Sequence, residues 1–176
     1  VHKFSERDRL DTVLNVLARG DDVALVSDGG TPGLSDPGAL LIAAAHDAGI
    51  RVSPVPGPSA VAAILSASGL PGDRFVFEGF LPRKAGERRR RLEGLATEPR
   101  TIVMFESPKR VGPWLAEALE VLGDRQAAVA RELTKLHEES LRGTLLDLAD
   151  RGVMERGEFT VVVGGGQEQP EDDALD

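Results

Sequence analysis

Apolar residues in this chain alternate between helical spacing and short unbroken runs. Leu10, Val13, Leu14 and Leu17 recur at helical spacing after Ser5-Glu6-Arg7-Asp8, a capping start, and Gly20 stops the run. This predicts an amphipathic helix with its stripe in a core, and Val1 to Phe4 before it reads as a strand or its end. Val23 to Val26, behind Asp21 and Asp22, is an apolar β-rich run and predicts a buried strand leaving a turn. Leu40, Leu41, Ala44, Ala45 and Ala48 predict a second helix ending at Gly49; Ile50 to Val55 reads as a short strand, and Ala60 to Ser68 as an alanine-rich helix closing at Gly69. Strand and helix alternate, so this part reads as α/β with a mainly parallel sheet.

The chain turns between Leu70 and Asp73, and a domain boundary is expected there. It separates an N-terminal α/β domain, 1–73, from a C-terminal mixed α/β domain, 74–165. The second part predicts strands at 74–81, 101–105, 126–132, 138–143 and 158–163, with helices at 86–96, 108–122 and 144–150 between them. Gly143 and the charges around it suggest a hairpin in an antiparallel region. The polar, acidic stretch 166–176 has little to bury and is expected to be disordered.

Composition changes this picture little. The 176 residues contain 41% hydrophobic positions, enough for real cores, and no run approaches the roughly 20 apolar residues of a membrane span. With no cysteine the chain has neither disulfides nor thiolate metal sites, which is compatible with a cytoplasmic protein. The scattered His2, His46 and His137 offer no clustered zinc set, so no metal is expected. The net charge of −8 looks wrong for an RNA partner, but Glu168, Glu171, Asp172, Asp173 and Asp176 supply five of the 29 acids, and the remainder is 24 acids against 21 bases. A basic patch therefore has to be judged locally.

Candidate chemistry begins in the loop after Val26. Gly29, Gly30 and Gly33 let backbone approach a ligand closely, and a strand, glycine-rich loop and helix in that order form a cradle at the carboxyl end of a sheet strand. The loop matches neither G-x-G-x-x-G nor a phosphate loop, and Asp28 and Asp36 bracket it. Two carboxylates would repel a polyphosphate, so a cationic or zwitterionic ligand bearing hydroxyls fits better. Asp36 before Pro37 also reads as a plain helix cap. Pro56-Gly57-Pro58-Ser59 is a second strand-to-helix turn, open to the same two readings. Arg83, Lys84, Arg88, Arg89, Arg90 and Arg91 form the densest basic run, either a solvated helix face or a phosphate-binding surface.

Five motifs occur in order: Val23 to Gly38, Pro54-Val55-Pro56-Gly57-Pro58-Ser59-Ala60, Phe77-Glu78-Gly79-Phe80-Leu81-Pro82-Arg83-Lys84, Phe105-Glu106-Ser107-Pro108-Lys109-Arg110 and Ala130-Arg131-Glu132-Leu133-Thr134-Lys135. Together, from His2 to about Gly165, they resemble the ribosomal RNA small-subunit methyltransferase I family, a branch of the tetrapyrrole methylase superfamily. The resemblance implies a two-domain fold with a cofactor cleft between the domains, S-adenosylmethionine as cofactor, a homodimer, and methylation of the ribose 2'-hydroxyl of a cytidine in ribosomal RNA or the small ribosomal subunit. Implied cofactor contacts are Asp28, Gly29, Gly30, Thr31, Leu34, Ser35, Asp36, Ser59, Ala60, Met104, Phe105 and Ala130. The basic run and Arg110 are implied RNA contacts. For the ribose proton the candidates are Glu132 and Lys135, with Arg131 or Arg110 placing phosphates; a lysine base would have to lose its proton, which burial or neighbouring cations promote.

The family pattern opens with a first strand and a Gly-Thr-Pro-Ile-Gly-Asn-like loop that this sequence does not contain, so one wall of the cleft is expected to lie outside it. A methyltransferase of a small tetrapyrrole and a non-catalytic RNA-binding module are the competing readings; the arginine run and the last two motifs favour ribosomal RNA.

Overall fold

The computed structural model describes residues 6–166, which fall into two compact units divided between Ser59 and Ala60. The expected strand at Val1 to Phe4 and the tail beyond Gly166 lie outside the described residues. Among the described residues, no helix is long and apolar enough to cross a membrane.

The first unit carries helices α1 (Glu6–Ala18) and α2 (Ala39–Asp47), which pack together. Leu41 and Ala45 of α2 are buried, and the helix closes with Ile50 N–H donating to the Ala45 carbonyl at 2.9 Å. The expected strands at 23–26 and 50–55 are not formed: both segments are irregular, with Val26 78% and Val55 92% exposed. An apolar run becomes a strand only where a neighbour completes its hydrogen-bond ladder, and among the described residues of this unit none does.

The second unit contains α3 (Ala60–Ser68), β1 (Phe75–Phe80), α4 (Ala85–Glu93), β2 (Thr101–Glu106), α5 (Pro108–Leu122), β3 (Gln126–Arg131), β4 (Glu139–Thr144), α6 (Leu145–Arg151) and β5 (Phe159–Val163). Its sheet has the order β1-β2-β5-β3-β4; β1 and β2 are parallel, and β5 runs antiparallel to both β2 and β3. On one face, Trp114, Leu115 and Val111 of α5, Leu92 of α4 and Leu148 of α6 cover Ile102, Met104, Val129 and Val161. On the other, Val61 and Ile64 of α3 cover Val103, Ala128, Ala130 and Val162.

That second contact explains why the division falls between Ser59 and Ala60 rather than at 73/74. The α3 stripe is buried on the sheet of the second unit, although in sequence the helix looks like one more repeat of the preceding alternation. Gly143 does not make the hairpin turn. It lies within β4 opposite Ala127, the β3–β4 turn is at 132–138, and a Cβ at Gly143 would come within 3.0 Å of the Asp147 Cβ in the capping box that starts α6.

Candidate functional site

The glycine-rich loop of the first unit is held by short-range bonds. Ser27 Oγ donates to the carbonyls of Gly29 and Gly30 at 3.2 and 3.3 Å, Leu34 N–H to Thr31 and Gly33 N–H to Pro37, each at 3.2 Å. Gly30 (φ 77°), Gly33 (φ 80°) and Ser35 (φ 60°) are all in the left-handed region. The N–H groups of Gly29, Gly30 and Thr31 have no acceptor among the described residues, and a Cβ at Gly29 or Gly30 would meet nothing within 4 Å. Asp36 is not the helix cap: α2 starts three residues later with Gly38 as N-cap and no side-chain cap bond, because Pro37-Gly38 extends the loop. Asp28, Gly29, Gly30, Thr31, Leu34, Ser35 and Asp36 thus share one surface loop offering free amides and two exposed carboxylates. Ser59 and Ala60 fall at the junction of the units and are half-buried.

In the second unit β1, β2 and β3 run in one direction, so their carboxyl ends lie at one edge of the sheet. Three motifs follow those three ends. The edge row reads Glu106, Phe159, Arg131, Glu139 across four strands. Phe105 and Ala130 share the row before it, on the α3 face, paired through Thr160. Met104 does not join them: its side chain is fully buried on the opposite face under α5, since neighbouring residues of a strand point to opposite sides.

The loop after β3 is held in an uncommon backbone conformation. Glu132 (φ 52°) and Thr134 (φ 68°) are left-handed non-glycine residues, a conformation costing about 1–3 kcal/mol each and concentrated at functional sites. Glu132 Oε1 accepts from Glu158 N–H at 2.9 Å and from Lys135 Nζ at 3.1 Å, while Lys135 Nζ also reaches Glu158 Oε2 at 2.7 Å. The Glu158 and Glu132 carboxylates raise the Lys135 pKa; the Glu158 N–H, then Lys135, lower that of Glu132. Lys135 therefore stays an ammonium: it meets two carboxylates and partial exposure where a base would need burial or neighbouring cations. Glu132 Oε2 has no partner among the described residues. Arg131 is committed to Glu139 at 3.1 Å and is mostly buried.

Charge in the basic run is largely spent on packing α4. Arg88 bonds Glu117 of α5, and both are mostly buried; Arg89 reaches Glu120 at 2.9 Å and Glu93 at 3.2 Å; Arg91 binds Glu78 of β1 through two bonds of 2.6 and 2.7 Å. Lys84 pairs loosely with Glu87 at 3.3 Å on the surface. Among the described residues the guanidinium groups of Arg83 and Arg90 have no partner, and both residues are exposed.

Arg110 likewise points into a structural bond. Its Nε donates to Glu106 Oε1 at 2.7 Å and its Nη2 to the Leu81 carbonyl at 3.3 Å; Glu106, 2% exposed, also accepts Ser107 N–H at 2.6 Å. Buried Glu106 Oε2 and Arg110 Nη1 are left without a partner. Glu106, Glu158 and Glu78 were missing from the sequence-based candidates; for Glu106 the i,i+4 spacing to Arg110 at the head of a helix was the available signal.

The profile of the tetrapyrrole (corrin/porphyrin) methylases matches residues 2–149. A ribosomal RNA small subunit methyltransferase I of Thermotoga maritima is 46% identical over 167 residues, covering 92% of this chain and 75% of that protein. The chain belongs to the tetrapyrrole methylase family, in its ribosomal RNA small subunit methyltransferase I branch. Relatives of that name from Xylella fastidiosa (48% identical, 96% of this chain, 64% of the relative) and Mycobacterium bovis (52%, 89% and 56%) show that the chain spans about three-fifths of their length. Among solved methylases, the methyltransferase CobJ superposes with a TM-score of 0.67 at 25% identity, covering 91% of this chain and 71% of its own. A uroporphyrin-III C-methyl transferase from Thermus thermophilus, solved with S-adenyl homocysteine, gives 0.61 at 19% identity, over 90% and 73%, which shows the fold alone.

Proposed function

We propose that this chain forms part of an S-adenosylmethionine-dependent methyltransferase acting on the ribose 2'-hydroxyl of a cytidine in small-subunit ribosomal RNA. The observation that carries the reading is the meeting of three motifs, after Phe80, Phe105 and Ala130, at the carboxyl edge of one sheet, in a chain 46–52% identical to relatives named for that RNA.

The loop donors suit the cofactor. Free amides at Gly29, Gly30 and Thr31 match carboxylate or hydroxyl oxygens, and Asp28 and Asp36 match an ammonium, a sulfonium or ribose hydroxyls. Leu34, Ser35 and Ser59 are further candidate contacts in the first unit; in the second unit, taken by itself, the candidates are Ala60, the Phe105 and Ala130 side chains and the Met104 backbone. When bound, the cofactor supplies a methyl group on a sulfonium, an activated leaving group that needs no covalent catalysis from the protein.

The chain's own task is then placement and proton handling. Glu132 Oε2 is the oxygen positioned to take the hydroxyl proton, while Lys135 fixes the other oxygen and holds Glu158 beside it. Arg83 and Arg90 offer uncommitted charge to phosphates; Lys84 is nearly free, whereas Arg88, Arg89, Arg91 and Arg110 chiefly hold the surface in shape. The full protein acts in the cytoplasm as a homodimer.

Transfer of tritiated methyl from S-adenosylmethionine to small ribosomal subunits, protein-free small-subunit RNA and a tetrapyrrole precursor tests the reading. Label is expected in a ribosomal acceptor at a 2'-O-methylcytidine. Label in the tetrapyrrole alone, or in no acceptor while RNA binding persists, overturns it.

A further inference from the structure

The sheet edge carries one feature that neither the cofactor loop nor the proton-handling residues use. Phe80, the last residue of β1, is 54% exposed, although a phenylalanine at a strand end is ordinarily tucked under the loop that follows. Its position is built by a bulge: Phe77 pairs with Val103 and Phe80 with Phe105, so β1 uses three steps where β2 uses two. Regular alternation would put residue 79 on the Phe77 face; the extra residue puts Phe80 there instead. Gly79, buried and at φ 61°, is what allows the bulge.

The outcome is an aromatic step with a fixed outer tread. Phe77 meets Phe105 edge-to-face at 5.0 Å and 71°, and Phe80 leans on Phe105 at 5.6 Å and 57°. The next residue, Leu81, is buried and its carbonyl is held by Arg110. Two exposed cations with no partner among the described residues, Arg83 and Lys109, follow the two neighbouring strand ends that carry Phe80 and Phe105.

A half-exposed ring packed on a second ring, at a strand end followed by free cations, is the chemistry that binds an unpaired nucleotide: the base stacks on the ring, and the phosphates on either side meet the charges. We propose that Phe80 is a stacking platform for one single-stranded RNA base, with Arg83 and Lys109 contacting its flanking phosphates. The proposal rests on an RNA acceptor and adds what that acceptor must present: an unstacked base next to the methylated ribose, not a continuous duplex.

Single-stranded RNA oligonucleotides carrying 2-aminopurine, whose fluorescence is quenched by stacking, test this with the full chain. Wild type is expected to quench the probe and to bind it more tightly than its duplex form. Phe80→Leu, checked for native circular dichroism, should lose the quench and about tenfold in affinity while keeping the salt slope of binding; Phe80→Trp should retain both quench and affinity. Arg83→Gln should keep the quench and lower the salt slope by about 0.7. Unchanged quench and affinity in Phe80→Leu, or equal wild-type affinity for duplex, overturns the platform while leaving an RNA acceptor intact. Failure of wild type to bind any RNA overturns both.

Discussion

Arg110 separates a structural reading of the Phe-Glu-Ser-Pro-Lys-Arg motif from an RNA-binding one. The Glu106 side chain is 1% exposed and that of Arg110 24%, with their charged atoms 2.7 Å apart. Removing one partner of a buried ion pair strands the other and costs about 3–5 kcal/mol; because water reaches Arg110 in part, Arg110→Met is expected to cost about 2–4 kcal/mol. Glu106→Gln keeps an acceptor for Ser107 N–H and should cost about 1–2 kcal/mol. Glu106 Oε2 and Arg110 Nη1 already lack partners, so the double variant should be little worse than Glu106→Gln alone, a coupling of about 1–3 kcal/mol. The single tryptophan, Trp114, is 1% exposed in the same unit, so its fluorescence in urea follows that unit specifically. With a slope near 2 kcal/mol/M, Arg110→Met should lower the midpoint by about 1–2 M. A shift below about 0.3 M, strict additivity in the double variant, or a reduced salt slope for RNA binding with normal stability would refute the structural reading.

Three further outcomes are expected. Gly157→Ala should cost about 1–3 kcal/mol and slow methyl transfer, since Gly157 has φ 90° and a Cβ there would come within 2.6 Å of Glu132 Cγ; wild-type stability and turnover would show that the Glu132 loop is looser than described. The Lys135 tether should hold across neutral pH: the raised Lys135 pKa contributes fully below its ordinary 10.5 and is lost as pH rises through the folded value, while the lowered Glu132 pKa contributes above its ordinary 4.5 and is lost as pH falls through the folded value; a pH–rate profile in which transfer requires a lysine titrating below about 8 would restore Lys135 as the base. A fragment of residues 60–176 should unfold cooperatively, whereas one starting at residue 74 should not, because loss of α3 uncovers Val103, Ala128 and Val162; equal cooperativity would return the boundary to 73/74.

Elements that close on their own chemistry were readable in the sequence. The helix 108–122 was expected at its observed bounds because Pro108 opens it, Gly123 ends it, and Val111, Trp114, Leu115, Ala118 and Leu122 keep one face. The strands expected at 101–105 and 158–163 form at 101–106 and 159–163, being apolar on both faces and covered on both. Partnership was not readable. Val23 to Val26 and Ile50 to Val55 have strand composition, but a strand is completed by its neighbour. Residue type likewise could not show where a charge is spent: Arg83 and Arg88 look alike in the basic run, and only the fold sets a glutamate of α5 against one of them.

The topology explains why three motifs far apart in sequence reach one edge of the sheet. The strand β5 is the last strand among the described residues yet inserts between β2 and β3, antiparallel to both. Two antiparallel steps restore the direction of β2 in β3, so the segments after Phe80, Glu106 and Arg131 emerge at the same edge. The insertion also brings in Glu158, immediately before β5, which clamps Glu132 and Lys135 from the neighbouring strand. A carboxylate held from across the sheet cannot drift with its own loop, and two left-handed non-glycine residues are sustained only where such outside bonds over-determine the backbone. The placement of the Glu132 carboxylate is therefore supplied by the segment entering β5, not by the motif that contains it.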